Sequence, residues 1–148
     1  MTLEFTQDND QIKGWRGTEI EVPLPADAQA SEDLAYLDAV EFHSSTDKRI
    51  RKATGADDSQ YLGIVADSGG IDSGDIGRII KGVEIPMTMS GTGSQGDLVE
   101  ATNNTTVAAL ELASGPYALA KNTFGRLMQA GVNAATVLVL VEPQILNN

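Results

Sequence analysis

The chain has no cysteine, one histidine and one tryptophan, and aromatic residues make up only 5% of it. Without cysteine there is no disulfide framework, no thiolate metal site and no thiol nucleophile. The lone histidine, His43, cannot build a multi-histidine metal centre. Its neighbours Ser44, Ser45 and Asp47 do not make a triad by adjacency, because successive side chains on a strand face opposite ways. Basic residues are scarce as well: 10 Lys and Arg stand against 21 Asp and Glu, a formal charge of −11. Nucleic acid and anionic lipid repel such a molecule, so neither is expected as a partner. Long apolar runs are also missing. The longest stretch, Ala134 to Val141, is interrupted by Thr136 and falls well short of the ~20 residues that cross a bilayer. The opening MTLEFTQDND has no basic start followed by an apolar run, so no secretory signal is expected.

What is present suits a small globular β protein. The 148 residues are enough for one domain with a core, 41% are hydrophobic, and 15 are glycine. Gly17 to Val22 alternates polar and apolar, as a half-buried strand does, until Pro23 and Pro25 stop it. Residues 25–31 read as a linker. In 31–42, Leu34 and Leu37 suit a short helical turn begun by Ser31, followed by a strand through Val40 and Phe42. Further strands are expected over 61–65, 76–81, 83–89, 98–99, 107–112, 117–120, 125–130 and 137–141. Pro86 places its strand at an edge or a bulge. Closely spaced short strands with Gly, Asn and Asp between them predict a small antiparallel β-barrel or sandwich with little helix. Residues 1–30 form an extended N-terminal arm and linker in this reading, and 31–148 a single β domain. A faint echo links Gly77-Arg-Ile-Ile-Lys-Gly-Val to Gly125-Arg-Leu-Met-Gln-Ala-Gly-Val and suggests two similar hairpins.

The stretch GTGSQGDLVE, Gly91 to Glu100, has both the Gly91-x-Gly93-x-x-Gly96 spacing of a dinucleotide loop and the glycine skeleton of a P-loop. Dinucleotide binding needs a helix directly after the loop, with its amino end facing the pyrophosphate. The residues after Gly96 are instead rich in β-branched side chains and turn again at Asn103-Asn104. A P-loop needs Lys after its last glycine, and this chain has Asp97. The stretch is read as a glycine-rich turn between antiparallel strands, and no cofactor is expected.

Three other features carry chemistry. Asp67, Asp72 and Asp75 sit in a glycine-rich loop that offers oxygens to a calcium ion but lacks EF-hand spacing. The other reading is a solvated turn in which Asp and Ser bond their own backbone. Lys48, Arg49, Arg51 and Lys52 gather four of the ten basic residues within five positions. They are either a solvated strand face or a docking patch for an acidic protein. Trp15, beside Arg16 in a polar segment, suits either a core residue or an interface anchor.

The order of elements from about residue 40 to 142 resembles the capsid decoration (cement) proteins of tailed bacteriophages and related archaeal viruses. The residues that carry it are Leu62-Gly63-Ile64-Val65-Ala66, an acidic glycine-rich loop, Ile79 to Ile85 around Gly82-Val83, and Gly96-Asp97-Leu98-Val99. Phe124-Gly125-Arg126-Leu127-Met128 and a final strand from Thr136 to Val141 complete it. The resemblance implies a compact β fold in which the Gly-Asp-x-Val element is a turn feeding a strand. It also implies a non-enzymatic virion protein, a homotrimer on the outer capsid surface that clamps neighbouring major capsid subunits. Under it, Trp15, Arg16, Glu19, Ile20, Lys48, Arg49, Arg51 and Lys52 become capsid or oligomer contacts. A tail, fibre-base or head–tail component, and a small barrel that binds sugar or calcium, are the alternatives.

Overall fold

The structure, a computed structural model, describes residues 26–44, 48–56, 60–110 and 122–145. The chain runs β1 (Ala26–Gln29), β2 (Ala39–Phe42), β3 (Ile50–Lys52), β4 (Tyr61–Val65) and β5 (Ile76–Ile80) into a first five-stranded sheet. It then runs β6 (Glu84–Ser90), β7 (Leu98–Ala101), β8 (Thr106–Ala109), β9 (Asn122–Leu127) and β10 (Thr136–Ile145) into a closed barrel. Among the described residues the fold is all-β, as the pattern predicts. Alternation drives it. In β6, Ile85, Met87 and Met89 are buried, while Glu84, Pro86, Thr88 and Ser90 face water.

The two halves repeat one another. The sheet order β1-β5-β4-β2-β3 is matched in the barrel by β6-β10-β9-β7-β8, with the same registers. Val40 opposes Gly63 as Val99 opposes Gly125, and Ile64 opposes Ile80 as Arg126 opposes Leu140. The barrel closes through a parallel pair, Met89 beside Val107. In the first sheet a single parallel bridge, Ala30 to Ile50, joins the edges at the equivalent place. The first sheet is therefore curled into an incomplete second barrel, its edges joined by that one bridge.

Four turns of one design hold the ends. They are Leu34 to Asp38, Ile71 to Asp75, Gly93 to Asp97 and Gly131 to Ala135. Leu34 bridges Ile71, and Gly93 bridges Gly131. In each turn the fifth residue donates its N–H to the carbonyl of the second, at 2.9 to 3.1 Å. The fourth has positive φ: Leu37 70°, Gly74 89°, Gly96 93° and Ala134 68°. That is what the third position of a type II turn demands. The fourth residue also donates to, and the fifth accepts from, one strand-end residue: Val65, Ala30, Leu127 and Met89 respectively.

Several expectations are corrected here. Residues 31–38 hold no helical turn: Leu34 sits in a bridge and Leu37 at a positive-φ turn position. Residues 26–29, read as linker, form β1, because Ala26 to Gln29 pair with Ile76 to Ile79. Pro86 lies within a strand paired to β10, but the β8 pairing begins only at Thr88, so its missing N–H costs no ladder bond there. The echo between Gly77 and Gly125 joins β5 to β9, which are not counterparts. The true partner of Gly125 is Gly63. The strands expected over 17–22 and 117–120 lie outside the described residues.

Candidate interaction surface

The two repeats share a core but differ at one end of each barrel. Ala39, Ala53, Tyr61 and Ile64, on the outer wall of the first barrel, belong to the same apolar cluster as the interior of the second. Tyr61 caps the second barrel. Its ring meets Phe124 edge-on, and its hydroxyl donates to the Ala101 carbonyl at 3.1 Å. Ala101, Phe124, Val139 and Val141 are fully buried beneath this cover.

Their counterparts in the first barrel are Phe42, Leu62, Ile79 and Lys81. Here the same end is an open mouth of about 480 Å³. Phe42, Ile50, Leu62 and Ile79 form its apolar wall, with Lys48 and Lys81 exposed on the rim beside Asp27. Phe42 is 38% exposed. The far end of this barrel is closed by the Leu34–Ile71 bridge over buried Val40, Val65 and Ile79.

The structure divides the basic cluster rather than assembling it. Lys48 stands at the mouth. Arg51, on the outer wall, is tied to Glu41 on β2: its Nε and Nη2 both lie 2.9 Å from Glu41 Oε1. Thr54 donates to Glu41 from its N–H and its hydroxyl. The Lys52 backbone N–H donates to Glu32, and the Arg49 carbonyl accepts from the His43 N–H. Glu41 is 1% exposed, so burial without partners would be costly, and these donors satisfy it. The signal in the sequence was its place opposite Arg51 on the neighbouring strand, which one-dimensional reading cannot register. Trp15, Arg16, Glu19 and Ile20 lie outside the described residues.

In the acidic loop Asp67 is committed to Arg78, while Asp72 and Asp75 are exposed. Asp67 Oδ1 accepts from Arg78 Nε at 2.8 Å, and Oδ2 accepts from the Arg78 N–H at 2.9 Å. These bonds, the backbone one foremost, hold the Asp67 carboxyl below its ordinary 3.8. Among the described residues no three His, Asp or Glu side chains converge as metal ligands. The Gly91 to Glu100 stretch is the third of the four turns: Asp97 Oδ2 accepts the Ser94 N–H at 2.8 Å, and β7 begins at Leu98. It joins β6 to β7, which are not paired with each other. They run antiparallel, as expected, with β8 lying between them.

No family model matches the chain, and no curated protein does. Among solved structures, it is similar to the head fiber gp8.5 N base of bacteriophage phi29. The identity is 12%, over 80% of this chain and 93% of that one, with a TM-score of 0.48. A likeness at this level says nothing about function.

Proposed function

We propose that the chain is a structural, non-enzymatic protein of a virus particle, bound as a trimer to the outer capsid surface, where it clamps neighbouring major capsid subunits. The observation that carries this reading is where its motifs fall. The Gly96-Asp97-Leu98-Val99 element through which the sequence resembles decoration proteins is a positive-φ turn feeding β7. The two strand glycines of the same resemblance, Gly63 and Gly125, occupy equivalent sites in the two barrels. Each is fixed by backbone geometry rather than by ligand chemistry. Two β units packed on a shared apolar cluster suit a part that adds area to a shell and no reaction.

Binding to the assembled shell alone would stabilise it by mass action. Trp15 and Arg16 supply an anchor of the type found at interface centres. The net charge of −11 suits an external position, away from packaged nucleic acid. Quantitative mass spectrometry of purified particles tests the reading. Near-equal copy number with the major capsid protein supports it. A few copies per particle would replace it with a tail or fibre-base role, and absence from particles would end the virion reading.

A further inference from the structure

One end of each barrel is built from the same four positions, and the two ends are finished differently. In the second barrel Ala101, Phe124, Val139 and Val141 are fully buried, and Tyr61 covers them. In the first barrel the matching positions are Phe42, Leu62, Ile79 and Lys81, around the open mouth of about 480 Å³. The position that holds Val141 under the cover holds an exposed lysine at the mouth. An apolar cover of the Tyr61 kind would strip water from that ammonium and give it no partner. The mouth therefore suits an occupant that is apolar within and anionic at the rim.

Strand periodicity brings two cations to that rim. Lys81 is two residues beyond Ile79, and Lys48 two residues before Ile50; both isoleucines are buried and line the mouth. Side chains two apart on extended chain share a face, so the lysines continue these inward rows where they reach water. Neither lysine has a carboxylate partner among the described residues. Asp27 lies nearby, but it is the cross-strand partner of Arg78 on the exposed face of β5, so its carboxylate belongs to the outer surface. The side chains of Phe42, Ile50, Leu62 and Ile79 carry no hydrogen-bonding group. A sugar would lose its water contacts against them without replacement, and a bare inorganic anion would leave the wall unused. The volume is that of a small-molecule site, which runs from about 300 to 1,000 Å³.

We propose that the mouth of the first barrel binds a small amphiphile with one anionic head, of the medium-chain fatty acid class. Its hydrocarbon tail lies against Phe42, Ile50, Leu62 and Ile79, and its head meets the rim formed by Lys48 and Lys81. The second barrel has no such site, because Tyr61 fills the equivalent end and Val141 replaces the lysine. Binding of this kind is independent of any place in a virus particle.

Decanoate, decanol and decyltrimethylammonium share a tail and differ in their heads. Calorimetric titration of the full chain with each, below micelle-forming concentrations, tests the site. Decanoate should saturate one site per chain and bind about tenfold tighter than the other two at low salt, roughly what two exposed ion pairs supply. That preference should shrink as salt is raised. Lys48→Met with Lys81→Met should leave the melting temperature unchanged and cut the preference to less than about twofold. Methyl resonances that shift on saturation should centre on Ile50, Leu62 and Ile79, and not on Val139 and Val141. Equal binding of the three amphiphiles, absence of saturation, or shifts centred elsewhere overturns the proposal. The chain has no cysteine, so Phe42→Cys gives a second readout. Its thiol should be alkylated in the free chain and protected by decanoate. Resistance to alkylation without decanoate, while exposed Gly69→Cys reacts, means that protein already fills the mouth and also overturns the proposal.

Discussion

Tyr61 meets Phe124 edge-on, with ring centroids 5.6 Å apart and planes at 81°, and joins the two barrels at the covered end of the second. Edge-to-face pairs of this kind add about 1 kcal/mol beyond area burial. Tyr61→Phe keeps the ring contact and removes the hydroxyl from the Ala101 carbonyl, at a cost of about 1 kcal/mol. Tyr61→Ala uncovers Phe124 as well and costs about 3–5 kcal/mol. Urea unfolding of the two variants should separate them. Equal losses would mean that the ring is not the cover.

Arg51→Ala leaves the buried Glu41 carboxylate without its guanidinium. Removing one partner of a buried pair costs about 3–5 kcal/mol. Arg51 is 36% exposed, so water can reach part of the site, and a loss near the lower end is expected. Arg51→Lys restores the charge but not two donors aimed at one oxygen, and should recover only part of the loss. Full recovery in chemical denaturation would show that charge alone matters.

Gly63→Ala and Gly125→Ala should each be among the most damaging single changes in the chain. A Cβ at Gly63 collides with the Ile80 carbonyl, and one at Gly125 with the Leu140 carbonyl, its structural counterpart. Backbone must move in both cases, at a cost of about 3 kcal/mol or more. Gly69→Ala is the control: nothing lies within 4 Å of its Cβ. It should change stability by less than about 0.5 kcal/mol. Thermal unfolding of the three variants gives the comparison.

Ala134→Gly should stabilise the protein. Ala134 is exposed and holds φ at 68°, where the equivalent turns have Gly74 and Gly96. Left-handed backbone costs a non-glycine residue about 1–2 kcal/mol, and the added freedom of glycine in the unfolded chain returns part of that gain. A net rise of about 0.5–1 kcal/mol is expected in denaturant unfolding. A loss would show that the Ala134 methyl packs in solution.

The Asp67–Arg78 pair sets an acid-side dependence. The folded carboxyl titrates below its ordinary 3.8, so its contribution to stability is present above that pH and fades as pH falls through the lowered folded value. Asp67→Asn should lower the melting temperature near neutral pH and converge with the unmodified chain in strong acid. Parallel melting curves across the acid range would contradict the assignment.

The sequence by itself determined the class of the fold and most of its strands. Alternation at Ile76–Ile80 and Glu84–Ser90 is set by which face meets the core, a local property with period two. It also showed why GTGSQGDLVE is a turn, because a helix cannot come after it. The tertiary structure alone decided that residues 26–29 are a strand, since their polar composition gains stability only from pairing with β5. It decided that Leu37 and Gly96 do the same work, because turn geometry is kept by hydrogen bonds and not by residue type. It decided that Arg51 belongs to Glu41 while Lys48 belongs to a mouth, a division set by opposite strand faces and long-range register. The repeat of one barrel by the other is carried by pairing between strands far apart in the chain. Few side chains are common to both copies, so composition and short motifs could not display it.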